Sequence, residues 1–149
     1  MSEYTRRRIA ALLLLAGIVV GVLALLDVGP FEDPPTEEER VQDVVEDLFA
    51  SAASGDAKGF CELLTRDARR ALTVRTAQQL RLNEAPKCVH ALTLLSGVFR
   101  GARVKVNLVS VSGPQARAEV DLKLKGAEPE PRTVMLVQTE GEWLVSDPG

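Results

Sequence analysis

Residues 116–124 read Ala-Arg-Ala-Glu-Val-Asp-Leu-Lys-Leu. Small or apolar residues and charged residues alternate without a break. Ala116, Ala118, Val120, Leu122 and Leu124 share one side; Arg117, Glu119, Asp121 and Lys123 share the other. A period of two marks a strand with one face on a core and the other in water. The neighbouring sequence extends this strand into a sheet. Ser112-Gly113-Pro114-Gln115 is a turn. Before it, from Arg103, Val104, Val106 and Leu108 alternate with Lys105 and Asn107, which predicts a strand. Leu108 and Val109 are then adjacent and Val111 continues in the other phase, as at a bulge or bend. Lys125 to Pro131 reads as a loop. Thr133 to Thr139 reads as a central strand, with Val134 and Leu136 on one face and Met135 and Val137 on the other. Its doubly apolar character predicts a covered outer face, as in a homodimer formed through the sheet. Glu140-Gly141-Glu142 turns into a short last strand, Trp143-Leu144-Val145.

Helical spacing precedes the sheet. Thr36 and Glu39 form a capping-box pattern. Val41, Val44, Val45, Leu48, Phe49 and Ala52 then recur on one stripe until Ser54-Gly55. Asp56 caps a shorter helix carrying Phe60, Cys61, Leu63 and Leu64. Thr65 opens a further turn or two with Arg66, Arg69 and Arg70 outward, a solvated face or a contact for anionic head groups. Thr73 to Ala85 fits either a short helix or an extended piece. Pro86 suits the first residue of another helix, with Cys88, Leu92, Leu95 and Phe99 on one stripe and Gly97 near its end. Helices first and an antiparallel sheet afterwards predict an α+β fold, with helices on one face of a curved sheet.

Upstream lies a different solvent. Ile9 to Leu26 is eighteen consecutive Ala, Leu, Ile, Val and Gly residues. As a helix it rises about 27 Å, close to the roughly 30 Å hydrocarbon core of a bilayer. Arg6, Arg7 and Arg8 precede it, and the next basic residue is Arg40, so the positive-inside rule puts the N-terminus in the cytoplasm. The expectation is a cytoplasmic tail (1–8), a membrane helix (9–28), a Pro-rich linker (29–36) and an extracytoplasmic domain (37–149), with the lipid bilayer as first partner through Ile9–Leu26. A cleaved signal peptide is the rival, but the apolar run exceeds the usual 7–15 residues and ends without a small-x-small site. Gly17 and Gly21 have the spacing of a helix–helix contact, although Gly is common in such segments.

The chain carries a net charge of −3, of which residues 1–26 contribute +2, leaving the remainder at −5. A mildly acidic domain speaks against nucleic acid as a partner. Cys61 and Cys88 are the only cysteines. Outside the cytoplasm they favour a disulfide over two free buried thiols. With one His and two Cys, no zinc signature is readable, and no metal or cofactor is expected.

The opening amphipathic helix, the run Ser54-Gly55-Asp56-Ala57-Lys58-Gly59-Phe60-Cys61-Glu62-Leu63-Leu64-Thr65, the second Cys-bearing helix, Ala116 to Val120 and the ending Gly141-Glu142-Trp143-Leu144-Val145 together resemble the nuclear-transport-factor-two-like superfamily. The resemblance spans residues 37–147 and is strongest to membrane-anchored or secreted members of bacterial envelopes. It implies a cone-shaped α+β barrel with a cavity at its wide end.

Enzymes of that superfamily resembling ketosteroid isomerases or polyketide cyclases use a pocket Asp or His as base, often with a Tyr. Here the only Tyr is Tyr4, on the predicted cytoplasmic tail; Asp121 is on the outward strand phase; the only His, His90, lies off the Cys88 stripe. Glu62 beside Cys61 fits a solvated helix position. No catalytic residue is therefore assigned. The favoured reading is a non-catalytic binding protein of the envelope, taking a protein partner or a small apolar ligand. Trp143, Phe60 and Phe99 are the candidate cavity lining, with Trp143 alternatively a core plug. The alternative is an isomerase, cyclase or hydrolase working in the cone cavity.

Overall fold

The computed structural model describes residues 33–149; the predicted membrane segment Ile9–Leu26, the tail before it and linker residues 29–32 lie outside them. Among the described residues no helix is long and apolar enough to cross a membrane. Residues 35–149 form one compact unit.

Among the described residues four helices precede four strands: α1 (Glu37–Ser54), α2 (Ala57–Glu62), α3 (Arg66–Leu80), α4 (Cys88–Phe99), β1 (Arg103–Ser112), β2 (Gln115–Lys123), β3 (Glu130–Thr139) and β4 (Glu142–Asp147). The α+β expectation holds. The capping box of α1 is complete: Glu39 N–H donates to Thr36 Oγ1 at 3.2 Å, and Thr36 N–H to Glu39 Oε2 at 2.8 Å. At its other end Gly55 takes a left-handed φ of 82°, which only Gly adopts without cost. Val41, Val45, Leu48, Phe49 and Ala52 are buried, and Val44 half-buried, as the stripe requires. In α2, Asp56 Oδ1 accepts from Gly59 N–H at 3.0 Å. A Cβ at Gly59 would collide with that carboxylate, so Gly59 leaves room for the cap.

The strands pair antiparallel in the order β1-β2-β3-β4, and α1 packs across β1, β2 and β4. Ala116, Ala118, Val120 and Leu122 of β2, with Val134 and Leu136 of β3, turn onto the helices and are buried. Burying each of the larger aliphatic side chains contributes about 1.5–3 kcal/mol. The segment after α2 joins the far edge: Thr65 N–H donates to Val145 O at 2.9 Å, and Val145 N–H to Leu63 O at 2.8 Å.

Several boundaries differ from the sequence expectation. The bulge is present in β1, where Val106 faces Val120 and Leu108 faces Glu119, leaving Asn107 unpaired. It falls one residue early. Leu108 therefore turns outward, 54% exposed, and Val109 and Val111 turn inward. β3 begins at Glu130 rather than Thr133. Pro131 is tolerated there because β4 pairs only with Met135 to Thr139, so the first half of β3 has a free edge. Only its second half is central. Thr73–Leu80 continues α3 without a break, and no strand occupies 73–85. α4 starts at Cys88, two residues after Pro86, and runs through Gly97 to Phe99.

Cys61 and Cys88 are bonded. The bridge joins α2 to the first residue of α4, whose N-cap Lys87 supplies no side-chain hydrogen bond. All of α3 lies inside the closed loop.

Candidate ligand cavity

The mostly apolar hollow is bounded by all four helices and the sheet, with a volume of about 360 Å³. α1 supplies Leu48, Phe49 and Ala52, and α2 supplies Phe60. α3 supplies Leu72, Arg75, Thr76 and Gln79, a single helical face at i, i+3, i+4 and i+7. α4 adds Leu92, Leu95, Val98 and Phe99. The sheet side adds Leu122, Leu124 and Arg132, and Pro148 and Gly149 complete the rim. Thr76 is buried; its hydroxyl donates to Leu72 O at 2.8 Å. Arg75, Gln79 and Arg132 are exposed, so they stand at the mouth. The volume is at the low end of the range for small-molecule sites.

Phe60 and Phe99 are among the lining residues of this hollow. Trp143 is not. It is buried, 5% exposed, and its indole Nε1 donates to Glu37 Oε2 at 2.6 Å. Gln138 Nε2 donates to the same oxygen at 3.4 Å, and Arg40 donates to Glu37 Oε1 at 2.9 Å. Trp143 therefore fastens β4 to the first turn of α1. It also borders a separate groove of about 840 Å³ with Arg40, Asp43, Asp47, Glu62 and Glu142. Those five charged residues are exposed or half-buried at an open surface, where water screens them.

The Trp143 hydrogen bond, then the Arg40 hydrogen bond and charge, outweigh burial and hold the Glu37 carboxyl below the ordinary glutamate range. A folded-state value below the unfolded one stabilises at pH above the unfolded value, and the gain is lost as pH falls through the folded value. The domain is accordingly expected to lose stability on acidification below about pH 4.3. Replacing Glu37 by Gln should flatten that limb of a melting-temperature profile; an unchanged acid limb would contradict the Glu37 assignment.

Among the described residues, none of those sought as an acid–base apparatus lines the cavity. His90 is exposed on α4, Glu62 is exposed on α2, and Asp121 lies half-buried on the outward side of β2. Tyr4 lies outside the described residues. Among the described residues no three His, Cys, Asp or Glu side chains gather to hold a metal ion.

No protein-family model matches the chain, and no curated protein matches it. Solved structures do. An NTF2-like protein of unknown function from Shewanella baltica OS155 superposes with a TM-score of 0.53 at 14% identity, over 76% of this chain and 94% of that one. The chain has the NTF2-like fold. A second solved chain, whose name carries the NTF2 label and five substitutions, gives a TM-score of 0.54 at 12% identity, over 75% of this chain and 96% of the other. Both superpositions cover nearly the whole of the neighbouring chain. The NTF2-like resemblance read from residues 37–147 is supported at the level of fold.

Neither Arg75, Thr76, Gln79 nor Arg132 stood out in the sequence. Arg75 and Arg132 are 57 positions apart and come to one cavity only through the fold. The spacing 72–75–76–79 was the available signal, and its polar members concealed it.

Proposed function

We propose that the protein is a single-pass, membrane-anchored binding protein whose domain stands outside the cytoplasm and holds a small apolar or amphipathic molecule in its NTF2-like cavity. The observation that carries the binding role is the lining. Phe60, Phe99, Leu72, Leu92 and Leu122 form an apolar wall, and among the described residues no Asp, Glu or His side chain is on it. Proton abstraction from a bound substrate needs such a group within hydrogen-bond reach. The run Ile9–Leu26 behind three Arg supports the anchor and the orientation, and the Cys61–Cys88 bond suits an oxidising compartment.

The cavity is a better candidate than the sheet's outer face for this role. That face carries Arg117, Glu119, Asp121 and Lys123, with an Arg117–Glu119 ion pair at 3.0 Å, and its exposed apolar side chains include Leu108 and Met135. A homodimer through the sheet, or an envelope protein partner, would have to cover those charges.

Filling the cavity tests the reading. Leu95 is half-buried on its wall, so Leu95→Trp places a large ring inside it. With the full chain in nanodiscs and 1-decanol as probe, the wild type should melt at higher temperature as probe is added, by roughly 2.7 kcal/mol of stabilisation at 100 times Kd. Leu95→Trp should show no such rise. Equal rises in both would contradict the cavity, and turnover that depends on His90 or on one carboxylate of residues 33–149 would favour the enzymatic alternative.

A further inference from the structure

The cavity is apolar within, and two arginines share its lining. Arg75 extends from the α3 face that lines the wall, one turn from Leu72 and next to buried Thr76. Arg132 comes from the inward row of β3: it faces Val120 across the β2–β3 pairing, and Val134 and Leu136 follow it on the same side. Both arginines line the one cavity, and among the described residues no Asp or Glu side chain is on its lining. Arg75 makes no ion pair or side-chain hydrogen bond among the described residues. Arg132 donates one bond, at 2.9 Å, to Glu130 Oε2, and both side chains are well exposed. Such a pair contributes little, and a guanidinium has five N–H donors, so Arg132 keeps most of its capacity. With Arg132 paired to Glu130, the uncompensated charge at the mouth is that of Arg75, in a chain of net charge −3.

We infer that the ligand is an amphiphile with an oxyanion head, a carboxylate or a phosphate ester, held at the mouth by Arg75 and Arg132 with its apolar body between Phe60, Leu92 and Phe99. This rests on the cavity reading above and adds the head group. Planar guanidinium donors match both oxyanions in a bidentate way. The apolar wall behind them desolvates a tail, as a site with few convergent polar groups does.

The test uses the full chain in phosphatidylcholine nanodiscs with two photoactivatable probes of equal length, a diazirine-bearing decanoate and the matching decanol. Labelled peptides are located by mass spectrometry, which separates cavity labelling from lipid partitioning. The decanoate should label peptides containing Phe60 and Phe99 about tenfold more than the decanol does, and the R75A/R132A double variant should remove that preference while decanol labelling persists. A decyl phosphate competitor should displace the decanoate if either oxyanion is accepted; competition by decanoate alone narrows the head to a carboxylate. Equal labelling of the cavity by both probes would overturn the oxyanion inference and leave the apolar cavity standing. No labelling of the cavity by either probe would overturn both. Both arginines are on the surface, so the variant should fold, and the fluorescence of Trp143, the only Trp, checks that it does.

Discussion

Replacing Cys61 and Cys88 together by Ala is expected to lower the melting temperature by roughly 10–15 °C. The bridge spans a sequence separation of 27. In the chain-entropy model, closing such a loop destabilises the unfolded chain by about 3.5 kcal/mol. The loop contains all of α3, whose buried residues are only Ala68 and Thr76. With so little core of its own, α3 depends on its tethered ends. It also supplies one wall of the cavity. Loss of the bridge should therefore weaken probe binding beyond the effect on global stability, seen as faster amide exchange in α3 than in α1. Uniform acceleration across all elements would show that the bridge acts on the unfolded chain alone, and an unchanged melting temperature would remove its structural role.

The second large effect is expected at Trp143. Trp143→Ala should cost about 3–5 kcal/mol, because a buried indole is deleted where β4 meets α1. Trp143→Phe keeps most of the packing and loses the bond to Glu37, so its cost should be smaller and should shrink at low pH, where Glu37 is protonated in both variants. Chemical denaturation at two pH values separates the two contributions. If Trp143→Ala abolished decanol binding while leaving stability intact, Trp143 would belong to the ligand site, contrary to its place in the fold.

These two positions show where the sequence was informative. The alternation at 116–124 was legible because β2 is paired on both sides and buried on one face, so every second residue reports its environment. The α1 stripe and its capping box were legible for the same reason. The full length of α3 was not. A helix announces itself by an apolar stripe, and the inward face of α3 faces a hollow rather than a packed core, so it carries Arg75 and Gln79 where a core would want Leu. Its end was hidden as well. Arg81 takes the left-handed position at φ 53° that usually signals itself as Gly. The side of Leu108 was not legible, because a bulge at Asn107 reverses the phase of everything after it and a shift of one residue moves a side chain through the sheet. For Trp143 both readings were open: a lone Trp near a chain end fits a cavity wall or a plug. In the fold Trp143 is buried and bonded to Glu37, more than a hundred residues earlier, a partner no local pattern announces.

The cavity is the feature on which a binding role depends, and its occupancy can be weighed. Native mass spectrometry of the full chain, expressed with its disulfide formed and released from nanodiscs, compares wild type with Leu95→Trp. A retained mass on the wild type that is absent from Leu95→Trp, on a chain two hydrogens lighter than its reduced form, is the expected result. A bare wild-type chain in the presence of saturating decanoate, or an adduct equally retained by Leu95→Trp, would contradict it.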